Sequence, residues 1–179
     1  MFGLKETAKS HVASIIALLN SNIGSSVFNK CFTSASNFNK NIGSWDVSNA
    51  TSFHQMFNLA TSFNNGGSGD IKNWNVTNST NFTYMFKNSA INQPINDWVI
   101  NTTSNVNMGY MFQNATSFNQ PLDNWDVSNV TNMRSMFNGA NSFNQDITGW
   151  NTANVTLMDY MFYDGSSFNQ DISSWDVSQ

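Results

Sequence analysis

The chain repeats itself, and that limits its folds more than any other property. Tryptophan recurs at Trp45, Trp74, Trp98, Trp125, Trp150 and Trp175, and the last two intervals are both 25 residues. The clearest unit, residues 118–140, reads FNQPLDNWDVSNVTNMRSMFNGA; the next two open as SFNQDITGW and SFNQDISSW. Four extra residues, 66–69, lengthen the Trp45–Trp74 interval, and the unit around Trp98 is one residue short before Ile91 and two long after Val99. Loops absorb such changes because closure entropy grows slowly with length. A period of this size marks units that cannot bury their apolar face alone and must stack on their neighbours.

Each unit carries one apolar skeleton: Phe118, Leu122, Trp125, Val127 and Val130, then Met133, Met136, Phe137 and Ala140. Trp125 and Val127 alternate with polar residues, which predicts a short half-buried strand over 122–127. The wider spacing over 130–137 suits a helical or 3₁₀ turn. Parallel strands spaced about 4.8 Å apart would set each Trp over the next. The pattern predicts a repeat solenoid over residues 28–179. Ahead of it, Val12, Ile15, Ile16 and Leu19 fall at i, i+3, i+4 and i+7. Residues 1–27 therefore read as an N-terminal amphipathic capping helix. An export signal is the alternative, since Lys5 and Lys9 precede the apolar run, although Glu6 interrupts the basic stretch.

The run Leu122, Trp125, Val127, Val130 is similar to the leucine-rich-repeat strand pattern. VTNMRSMFNGA with the following SFNQDI resembles the BspA-like leucine-rich-repeat surface proteins, in their roughly 25-residue W-D-V-S-N-V-T-N-M…M-F variety. The resemblance spans about residues 28–179 in six tandem copies. It implies a leucine-rich-repeat-like stack of about six rungs, each with one short parallel β-strand and one helical or 3₁₀ turn. It also implies a cell-surface or extracellular location and a role in adhesion or protein binding.

Composition narrows the classes. With 14% aromatic and only 10% charged residues, the chain lacks the signature of disorder. A net charge of −4 is unsuited to phosphate-rich nucleic acid. One cysteine, Cys31, provides neither an internal disulfide nor a cysteine-rich zinc site. No apolar run is long enough to form a transmembrane helix. The charge is also polarised: residues 1–90 carry six Lys and three acids, net +3, whereas residues 91–179 carry Arg134 and eight Asp, net −7.

Columns of equivalent residues supply the candidate sites. After each Trp comes Asp46, Asn75, Val99, Asp126, Asn151 or Asp176, which strand alternation turns outward. With the flanking Asn124 and Ser128, this gives a candidate binding face of Asp46, Asn75, Asn124, Asp126, Ser128, Asn151 and Asp176. The plain alternative is a solvated polar face with no ligand. The columns Asn39, Asn64, Asn92, Asn119, Asn144, Asn169 and Asn49, Asn78, Asn129, Asn154 read as structural, because Asn amides bond backbone groups that turns leave unpaired. Asp146 and Asp171 lie one repeat apart, but no loop has a calcium-binding pattern, so no metal is assigned. His11, His54 and Cys31 form no acid–base or nucleophile pair in the sequence, so neither a catalytic group nor a cofactor is expected.

These readings converge on a non-enzymatic protein-binding or adhesion module that serves as a surface or assembly component. A structural subunit of a larger particle or filament, such as a virion, is the alternative. The last unit holds Phe168, Ile172, Trp175 and Val177 without a following Met-Phe turn. That edge reads either as part of a longer array of which this chain is a fragment, or as a surface covered by another molecule, for which end-to-end self-association would set the basic flank of one copy against the acidic end of the next.

Overall fold

The computed structural model describes residues 28–179, and the expected capping helix of residues 1–27 lies outside them. The repeats lie in register. Trp74, Trp98, Trp125, Trp150 and Trp175 stack with successive ring centroids 6.1, 6.4, 6.4 and 6.1 Å apart. A second column, Phe57, Phe86, Phe112, Phe137 and Phe162, stacks at 5.5–5.8 Å. These spacings lie within the favourable range for offset rings. Together with Val76, Val106, Val127 and the paired methionines, the rings form one continuous core.

Regular secondary structure is sparse. Val106–Asn107 (β1) and Val130–Asn132 (β2) form a two-stranded parallel sheet. Parallel bridges Ser52–Asn81, Asn81–Asn107 and Asn132–Leu157 carry the same pairing across neighbouring repeats. The pairing position therefore lies at the Val-Thr-Asn step that follows, beginning with its valine, and no strand forms over 122–127. There the backbone turns repeatedly: the Trp125 amide donates to Leu122, the Ser128 amide to the Asp126 carboxylate and the Val130 amide to Val127. A chain turned that often cannot stay extended for a ladder. The Trp125 indole bonds the preceding repeat instead, its Nε1 donating to the Ile95 carbonyl at 2.9 Å.

The segment expected to be helical is not helical either. Among the described residues the 3₁₀ turns are Asn65–Gly67 and Gly69–Asn73, both in the lengthened loop. In each repeat the Phe/Met-x-x-Met-Phe segment is instead a run of tandem turns. Met56 donates to the Phe53 carbonyl, Asn58 to Gln55 and Ala60 to Phe57. Two residues per segment take left-handed backbone angles, Gln55 and Leu59 in this one. Tyr84 and Asn88, Tyr110 and Asn114, Ser135 and Gly139, and Tyr160 and Asp164 do so in the later ones.

Left-handed residues let the amides between the turns face one way, as alternation of handedness does in backbone nests. Phe53, Gln55, Phe57 and Leu59 donate to the carbonyls of Asn81, Thr83, Met85 and Lys87 in the next repeat, all at 2.8–2.9 Å. Phe82, Tyr84, Phe86 and Asn88 repeat the pattern onto Asn107, Gly109, Met111 and Gln113. The even-spaced amides close turns, the others bond forward, and the backbone is paired without a conventional sheet.

A left-handed angle costs a residue with a Cβ about 1–2 kcal/mol, and Asn tolerates it best. Leu59, at φ +60°, is the poorly suited member of a column that otherwise includes Asn88, Asn114 and Gly139. Its side chain is exposed, so it contributes little packing in return. Leu59→Asn is expected to raise stability by about 0.5–1 kcal/mol in denaturant unfolding. Destabilisation by that change would show that Leu59 is held by packing and not strained.

Candidate functional site

The structure places all seven candidate residues on the outside of the molecule, Ser128 half-buried and the other six exposed. Trp125 and Val127 on either side of Asp126 are buried, so alternation holds locally without a regular strand. Most of these side chains also have an internal task. Asp46 accepts the Ser48 amide at 3.0 Å, Asn75 the Thr77 amide at 3.1 Å and Asp126 the Ser128 amide at 2.9 Å. Asn151 accepts the Ala153 amide at 3.2 Å and Asp176 the Ser178 amide at 3.0 Å. Each is an Asx turn, in which a short polar side chain replaces a missing backbone partner. The Asn124 amide donates to the Asn96 side chain one repeat earlier.

These turns also set the electrostatics. Hydrogen bonds from Ser48, Ser128 and Ser178 hold the carboxyls of Asp46, Asp126 and Asp176 below their ordinary value. Neutral Asn75 and Asn151 stand in the same column, which keeps like charges from adjoining one another. In each Asp the Oδ1 oxygen caps the turn.

The Asn column is a ladder between repeats. Asn64 Oδ1 accepts the Asn92 amide and Gln93 Nε2, at 2.8 and 3.0 Å. Asn92 Oδ1 receives Asn119 and Gln120, Asn119 Oδ1 receives Asn144 and Gln145, and Asn144 Oδ1 receives Asn169 and Gln170. In the second column Asn78 and Asn154 donate Nδ2 to the carbonyls of Ser48 and Ser128. Asn101 does the same to Thr77 in the lengthened unit.

Sequence reasoning passed over a group on the opposite, turn side. Tyr84 and Tyr110 stack 4.6 Å apart, Lys87 Nζ lies 5.4 Å from the Tyr84 ring and His54 meets that ring edge-on. His54 does have a partner in register, with Nδ1 2.5 Å from Thr83 Oγ1. Burial, then Lys30, lowers its pKa. The two Tyr are in register only once the units are aligned on Met-Phe, not on Trp, and that alignment would have exposed the pair. Burial pushes the Cys31 thiol up to about 11, so it is protonated at neutral pH and a poor nucleophile there. Asp146 and Asp171 cap the Thr148 and Ser173 amides of their own turns. Among the described residues no group of three His, Cys, Asp or Glu is arranged to hold a metal ion.

Comparison with known families matches residues 20–107 and 100–179 to the family described as Mycoplasma protein of unknown function, DUF285. The chain belongs to this family. Two successive matches, overlapping over residues 100–107, agree with a DUF285 sequence built by repetition. No curated protein and no solved structure matches the chain. Among the described residues no helix is long and apolar enough to cross a membrane.

The ladder provides a test of what its asparagines do. Asn119→Ala removes the acceptor for the Asn144 amide and Gln145, and is expected to cost about 1 kcal/mol. Asn119→Asp keeps both accepted bonds and should unfold close to the parent. If Asn119→Ala left unfolding unchanged and impaired binding of a partner, the column would be a recognition surface, not a structural one.

Proposed function

We propose that this DUF285 chain is a solenoid of the BspA-like leucine-rich-repeat class, acting as a non-enzymatic protein-binding or adhesion module at the cell surface. The observation that carries this reading is the outward column Asp46, Asn75, Asp126, Asn151 and Asp176, a polar side chain on a rigidly bonded backbone in every repeat except the one that has Val99 there. Rigid placement suits recognition, because little side-chain freedom remains to be lost on binding. Asn124 and Ser128 border the column and complete the proposed face. The resemblance of the WDVSNVTNM…MF units to surface proteins supports the location.

The experiment must remove charge without removing the turn caps. The double variant Asp126→Asn with Asp176→Asn keeps Oδ1 as the acceptor for Ser128 and Ser178. It should retain the parent's thermal unfolding while losing most capture of surface proteins by the immobilised chain. The same carboxyls give a pH signature. Their folded pKa values lie below the ordinary 3.8, so their charge is present above that value and is lost as pH falls through the folded pKa. Capture by charge should therefore persist down to about pH 4 and fall only below it. Full capture by the double variant, with loss when residues 66–69 are altered instead, would refute the proposed face.

A further inference from the structure

The side of the molecule built by the turn segments differs in charge from the side that carries the Asp column. Residues 28–34, 53–59, 82–88, 108–114 and 133–139 hold Lys30, His54, Lys87 and Arg134 and no Asp or Glu. Lys30 and Arg134 are exposed, and Lys87 is half-buried. Among the described residues neither Lys30 nor Lys87 pairs with a carboxylate, and Arg134 has one distant partner, Asp159 at 3.7 Å. Carboxylates that could neutralise these cations, such as Asp126, cap turns on the other side.

Between the cations the surface consists of donors and aromatic rings. Asn58, Lys87 and Gln113 occupy the same position in three successive turn segments. Asn58 Oδ1 and Gln113 Oε1 are turned inward, buried and without a hydrogen-bond partner. Each planar amide therefore directs its NH2 group outward. With the Lys87 ammonium these groups make a row of donors spaced about 4.8 Å from one repeat to the next. Beside the row, Tyr84 and Tyr110 stack 4.6 Å apart, with Lys87 Nζ 5.4 Å from the Tyr84 ring and His54 at that ring's edge. Both tyrosines hold left-handed backbone angles, φ +59° and +62°, which disfavour a bulky residue. Backbone strain of this kind collects at functional sites.

We infer that the turn side is a second interaction surface, which binds an acidic segment of a partner polypeptide. Carboxylates of the segment meet Lys30, Lys87 and Arg134, its carbonyls accept from the outward amides of Asn58 and Gln113, and an aromatic side chain lies against the Tyr84–Tyr110 pair. Tyr and Arg are the residue types that anchor protein interfaces, and Asn supplies adaptable hydrogen bonds there. A row of neutral amide donors matches a polypeptide, which offers a carbonyl at every residue. Three separated cations are poorly suited to a polyanion, whose binding draws on many cations at once. The surface lies apart from the outward Asp column, so the chain can hold two partners of opposite charge. The inference does not depend on that column.

Fluorescence anisotropy with a labelled peptide of alternating Glu and Tyr tests it on the full chain. The variants borrow residues from equivalent positions: Lys87→Gln places there the residue type of Gln113, and Tyr110→Ser that of Ser135. Circular dichroism should match the parent for both. The parent should bind the peptide saturably and more weakly as salt screens the exposed charges. Lys87→Gln with Arg134→Gln should bind about tenfold more weakly. Tyr110→Ser, which keeps every charge, should also weaken binding, because the ring platform is lost. A peptide with Lys in place of Glu should not bind to the turn side, so its binding should be the same for the parent and the Lys87→Gln, Arg134→Gln variant. Absence of acidic-peptide binding at low salt would overturn the inference, as would equal binding by the parent and that variant. A sulfated oligosaccharide that binds the parent where the acidic peptide does not would assign the surface to a polysaccharide and overturn the polypeptide partner. Capture of surface proteins by the outward face should persist in the Lys87→Gln, Arg134→Gln variant, so failure of either proposal can be told from failure of the other.

Discussion

Every feature of this molecule depends on the orientation of the amides in its turn segments. A short repeat with little regular secondary structure has to satisfy its backbone somewhere, because an unpaired buried amide costs more than a typical hydrogen bond contributes. Here alternate amides close turns within the repeat and the rest bond forward to the next one. Left-handed angles at residues such as Tyr84 and Asn88 make that possible, and forward bonding offsets their strain. Neighbouring repeats are the acceptors, so no repeat can keep this conformation alone.

Side chains then divide the remaining work by column. Phe and Trp rings and the methionines exclude water. Trp Nε1 and Asn Oδ1 take up backbone groups at the positions where the turn segments leave them, in the opposite direction. Asp and Asn after the Trp cap the outer turns, and the Asp carboxylates still present charge to solvent. Capping and recognition need not compete, since a carboxylate has acceptor sites for both. The tyrosine pair and its neighbouring Lys87 and His54 show that the turn side is chemically distinct from the acidic outer side.

Much of this was legible in the sequence, and the unreadable parts have physical causes. Tandem copies of WDVSNVTNM…MF announced the repetition, and the apolar period identified nearly all of the buried positions. The structural role of Asn119 and its equivalents followed from what amide side chains do near turns. The strand was expected around Trp125 because Trp125 and Val127 alternate with polar residues, yet alternation only requires opposite faces and is met by a chain of turns. The 3₁₀ expectation over 130–137 failed because no pattern of residue types announces left-handed Tyr, Ser and Leu. Those angles are imposed by the neighbouring repeat, which a reading of local spacing does not include. The Asx caps at Asp126 and Asp176 were legible in principle from the Asp-x-Ser step, and they change how the outer face must be tested.

The central claim is that forward-facing amides bond each repeat to the next. Amide hydrogen exchange, followed residue by residue, tests it directly. Tyr84, Phe86 and Asn88 should exchange slowly and together, as parts of one cooperative unit. Rapid exchange at Tyr84, Phe86 and Asn88 in the folded chain would contradict the account.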